Sequence, residues 1–82
     1  MTKKFKIIIS SDQEYEELCA EIYFENQFVA IITQEKGFEN LQISIYSPSK
    51  KGKWLFNLVD FQEILNKAKE SLWEMRKSSE ES

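Results

Sequence analysis

Seven carboxylates stand between residues 10 and 35 with no Lys or Arg among them: Asp12, Glu14, Glu16, Glu17, Glu21, Glu25 and Glu35. Paired acids such as Glu16 with Glu17, or Glu21 with Glu25, are the groups from which a glycosidase or a divalent-cation site is built. Both chemistries need a cleft that shifts a carboxyl pKa and holds a substrate, and so small a chain rarely encloses one. The sequence has no histidine, which removes the commonest general base, the usual partner of a Ser or Cys nucleophile and the commonest zinc ligand. Cys19 is the single cysteine, so neither an intrachain disulfide nor a multi-cysteine metal site can form. Two glycines, Gly37 and Gly52, cannot make a phosphate-cradling or dinucleotide-binding loop. The expectation is a protein that is not an enzyme and takes no cofactor or metal, with Cys19 as a small buried residue.

What remains is electrostatic. A field of one sign on a folded segment steers association with oppositely charged partners. The acids are interleaved with Tyr15, Leu18, Ile22, Tyr23, Phe24, Phe28, Val29, Ile31 and Ile32, so the segment can fold as well as attract. Lysines cluster elsewhere, at Lys3, Lys4 and Lys6 and at Lys50, Lys51 and Lys53. The run Lys50-Lys51-Gly52-Lys53-Trp54 mixes cations with an aromatic, as a small nucleic-acid contact does. A net charge of −3 argues against direct binding to nucleic acid or to an anionic membrane, and the reading preferred for this run is a solvated loop.

The elements that must position these residues follow from alternation and turn chemistry. Residues 5–9 alternate with Phe5, Ile7 and Ile9 on one side, a first strand. Residues 11–18 form an acidic connection, helical or extended. Residues 19–25 and 28–35 make a hairpin about Asn26-Gln27, since Asn tolerates the left-handed backbone of a tight turn. Alternation places Ala20, Ile22 and Phe24 with Val29, Ile31 and Thr33 on one face, and Glu21, Tyr23, Glu25, Phe28, Ala30 and Ile32 on the other. After a turn at residues 36–40, Leu41, Ile43 and Ile45 point inward and Tyr46 outward. A loop at residues 47–52 leads to a last strand at residues 54–58. Asp60 and Glu63 have the spacing of a capping box, so a helix is expected over about residues 60–77, with Phe61, Ile64, Leu65, Ala68, Leu72 and Met75 as its apolar stripe and Trp73 off it. Residues 78–82 read as a frayed tail. The chain is thus one α+β domain over residues 1–82, a mainly antiparallel meander of four or five strands with one C-terminal amphipathic helix on one face. The other face has no cover. The first apolar run is three residues long, too short for a leader or a membrane span, and a cytoplasmic setting is expected.

The run from Tyr15 to Tyr23, the run from Phe28 to Gly37, the Trp54-Leu55-Phe56 segment and the terminal amphipathic helix together resemble small single-domain bacterial immunity proteins of polymorphic toxin systems, including contact-dependent growth inhibition. The resemblance implies a cytoplasmic antitoxin that binds the toxin domain of a cognate effector, most often a nuclease, and blocks it. It supplies no residue-level site. The residues themselves nominate the acidic connection and the uncovered face: Asp12, Glu14, Glu16, Glu17, Glu21, Tyr23, Glu25, Phe28, Ile32 and Tyr46. Aromatic anchors ringed by charge are the composition of a binding hot spot. The alternative is a stand-alone interaction or regulatory domain, homodimeric through the same sheet face.

Overall fold

Alternating apolar residues in the first half of the chain form four strands, β1 (Phe5–Ser10), β2 (Cys19–Phe24), β3 (Gln27–Thr33) and β4 (Gln42–Ile45), and the periodic stretch in the second half forms one helix, α1 (Leu58–Glu81). The computed structural model describes residues 4–11, 17–48 and 52–81, those from 76 onward by their backbone alone. The strands pair antiparallel in the order β1-β2-β3-β4, a meander. The fold is therefore α+β, with α1 lying against β1 and β2. No helix among the described residues is long and apolar enough to cross a membrane.

The β2–β3 turn is made by Glu25 and Asn26, one residue earlier than the sequence suggests. Both have positive φ, 49° and 67°, as a two-residue hairpin turn requires to match strand twist. Within this hairpin the register shifts: Ile22 pairs with Ala30 but Tyr23 pairs with Phe28, leaving Val29 as an inserted residue. Such a bulge changes which side of the sheet the following residues face. Ala30 and Ile32 accordingly lie in the core beside Ala20, Ile22 and Val29, and Ile31 stands opposite Glu21. The expected faces of Ile31, Thr33, Ala30 and Ile32 are thus reversed, whereas those of Val29 and Phe28 hold.

On the helix side, Ile64, Ala68 and Leu72 recur every four residues along α1 and are buried, with Phe61 and Leu65 half-buried beside them. Met75, the expected end of this stripe, is exposed. Phe5, Phe24, Trp54, Phe56 and Phe61 form an aromatic cluster at the start of the helix, with Phe5–Phe24 ring centroids 4.8 Å apart and Phe56–Phe61 5.2 Å apart. The expected fifth strand at residues 54–58 is absent. Alternation there is genuine, with Trp54 and Phe56 half-buried and Leu55 86% exposed, but the segment is held by side chains. The Trp54 indole N–H donates to the Tyr46 carbonyl at 2.7 Å. Asn57, not Asp60, caps the helix: its Oδ1 accepts the Asp60 backbone N–H at 3.1 Å, the third residue of a helix that begins at Leu58.

Candidate functional site

The sheet face away from α1 is built by the residues that alternate with the core. From β1 come Lys6, Ile8 and Ser10; from β2 Cys19, Glu21 and Tyr23; from β3 Phe28, Ile31 and Thr33; from β4 Gln42 and Ser44, with Tyr46 just beyond. Cys19, Ile31 and Thr33 are buried, and Ile8, Glu21, Tyr23 and Phe28 are half-buried. Tyr46 is 49% exposed.

Three aromatic rings form a row across this face. The Tyr23 and Phe28 centroids lie 5.5 Å apart with planes at 65°, and those of Phe28 and Tyr46 5.1 Å apart at 48°. These tilted arrangements suit the ring quadrupoles and keep each ring in place. The row exists because the bulge sets Phe28 opposite Tyr23, and because the Tyr46 amide donates to the Val29 carbonyl at 2.8 Å, carrying the β3–β4 pairing one residue past β4.

Glu21 is fixed beside the row. Its Oε1 accepts the Tyr23 hydroxyl and its Oε2 the Ser10 hydroxyl, each at 2.9 Å. The hydrogen bond to the Glu21 carboxylate holds Tyr23 in its protonated form and pushes its pKa above the usual 10.0, with loss of hydration and the Glu21 charge acting the same way. Cys19 Sγ donates to the Ser10 carbonyl at 3.6 Å and is a buried free thiol. Ser10 carries no signal as a single residue. Only its pairing with Cys19 places it on the face of Glu21.

Glu25 and Glu17, the other nominated acids among the described residues, do not converge on Glu21. Glu25 sits in the turn, where its carboxylate meets Lys4 Nζ at 3.5 Å with both side chains more than half exposed, a weak pair in solvent. Glu17 is exposed, and its backbone N–H donates to Glu35 Oε2 at 2.9 Å. Gln34 ties the same region together, its Nε2 donating to the Leu18 carbonyl at 2.8 Å. Ile32, expected on this face, is in the core at 6% exposure, a direct result of the bulge. Asp12, Glu14 and Glu16 lie outside the described residues, as do Lys50 and Lys51 of the basic loop. Of the two acid pairs, Glu21 and Glu25 are not brought together, since Glu21 is engaged by Tyr23 and Ser10 and Glu25 by Lys4; Glu16 of the other pair lies outside the described residues.

A concavity lies on the helix side, an open groove between residues 36–40 and α1, lined by Phe38, Asn66, Lys69, Glu70 and Trp73 among others. Phe38 and Trp73 pack as a tilted pair with centroids 5.0 Å apart, and Lys69 Nζ lies 5.9 Å from the centroid of the Phe38 ring. These contacts hold the 3₁₀ turn Phe38–Asn40 to the helix and account for Trp73 lying off the main stripe. Among the described residues, the face away from α1 offers a row of rings, one fixed carboxylate and one exposed lysine. Comparison with protein-family models, with curated proteins and with solved structures finds no match for the chain.

Proposed function

We propose that the chain is a noncatalytic binding protein whose sheet face away from α1 receives a cationic protein partner, and that the partner is the toxin domain of a cognate effector, a basic nuclease, which it neutralises as an immunity protein. The observation that carries the reading is the ring row Tyr23–Phe28–Tyr46 beside Glu21, on the sheet face away from α1. Large, rotationally restrained aromatics lose little entropy on contact and dominate binding energy where they occur. Glu17, Glu35 and the carboxylates of residues 12–16 supply negative charge in the same chain segment, and a nuclease must be positive where it grips phosphate.

The test is coexpression with the product of the gene immediately upstream. That product should kill cells alone and spare them when this chain is present. Tyr46→Ala should weaken the complex at least about tenfold, as a hot-spot truncation does, while the free protein keeps its folded circular dichroism spectrum. Glu17→Lys should slow association and flatten its dependence on salt. A toxin-free neighbourhood, or full protection by a Tyr46→Ala, Glu17→Lys double variant, would overturn the reading.

A further inference from the structure

The two edges of the sheet are unlike. β1 carries Lys6, exposed, and is preceded by Lys4, also exposed, the device by which natural edge strands avoid pairing with one another. The other edge, β4, has no charged residue from Asn40 through Pro48. Its Ile43 and Ile45 lie on the helix side, opposite Ile32 and Ala30, but α1 leans over β1 and β2 and leaves them 42% and 59% exposed. Among the described residues their outward backbone groups also meet no partner. The Tyr46 amide bonds to β3, so by alternation Ser44 and Tyr46 direct their peptide groups inward, and Ile43 and Ile45 direct theirs out of the sheet.

We infer that β4 pairs antiparallel with β4 of a second copy of this chain, joining two meanders into one continuous sheet. This goes beyond the binding reading above, since it uses the edge and not the face. The strand is self-complementary about Ser44. With Ser44 opposite its own copy, Ile43 of one chain meets Ile45 of the second, and each such pair exchanges both outward backbone hydrogen bonds. Gln42 then faces Tyr46. No charged residue lies anywhere along the pairing, whereas β1 carries Lys6 on its strand. The isoleucines of both copies come to lie side by side on the helix side. Five facing residues cover less than the roughly 1,000 Å² of a stable interface, so the dimer is weak and concentration-dependent, and the ring row stays free on the opposite face.

Sedimentation of the full chain over a concentration series should show the mass doubling, and the Ile43 and Ile45 amides should exchange with solvent about tenfold more slowly at the concentrated end, because only pairing gives them an acceptor. Ile45→Lys should remain a monomer with an unchanged melting temperature. A chain that stays monomeric up to about 1 mM would overturn the inference and leave the edge to a strand of a different protein. So would a dimer in which those two amides exchange at the same rate at every concentration, which would place the contact on another surface. Neither result bears on toxin binding, which is read separately by protection.

Discussion

Tyr23 gathers more of the candidate site than any other residue: it packs edge-on against Phe28, donates to Glu21, and through Glu21 is tied to Ser10. Because the Glu21 hydrogen bond raises its folded pKa above 10.0, its contribution to stability is fully present below pH 10 and is lost as pH rises through the higher folded value. Ultraviolet titration should show one phenol ionising above the ordinary tyrosine range, and Glu21→Gln should return it to that range and remove the corresponding part of the alkaline stability loss. If Glu21→Gln leaves the titration curve unchanged, the hydrogen bond does not operate in solution. Tyr23, Phe28 and Tyr46 were legible from alternation alone, because side chains in strands change sides at every residue. Ile32 was misplaced and Ser10 unseen for a related reason: both depend on register across strands, which no single strand's pattern contains.

The clearest element-level lesson lies in residues 54–57. Their alternating burial reads as a strand, yet they pair with none, since alternation reports only which side chains are covered. Here the cover is an aromatic cluster and an indole hydrogen bond to Tyr46. The helix start was displaced in the same way. Asp60 and Glu63 have the spacing of a capping box, but Asn57 reaches the backbone first and becomes the cap, leaving Asp60 as an acid in the first turn, where the helix dipole favours it. Asn57→Ala should therefore cost about 1 kcal/mol, a fall in melting temperature of about 4–8 °C for a domain of this size. Asn57→Asp should retain most of the stability. Equal losses in both variants would show that the side chain's role is something other than capping. Four strands and one helix are legible in the sequence because each has its own period. The bulge is not, since Tyr23-Phe24-Glu25-Asn26-Gln27-Phe28-Val29 is compatible with more than one hairpin alignment.

Taken together, the molecule is lopsided: one helix covers two strands of four, the ring row occupies one face, and the uncharged edge of β4 lies at the far side of the sheet. Composition and pattern were enough to identify an α+β meander with a helix on one side. Which strands the helix covers depends on contacts such as Phe61 on Phe5, between residues distant in sequence. The two tryptophans sit at separate points along that helix. Trp54 is wedged among Phe24 and Phe56 near its start, and Trp73 rests on Phe38 about four turns further on. The chain therefore carries two fluorophores that report independently on whether each half of the helix is seated. In Trp54→Phe and Trp73→Phe proteins, each with a single emitter, urea titrations should give midpoints that differ only by each substitution's own effect on stability measured by circular dichroism. An emission change at Trp73 that precedes the loss of helical signal would instead reveal a helix that lifts from the 3₁₀ turn while its first turns remain clamped in the aromatic cluster.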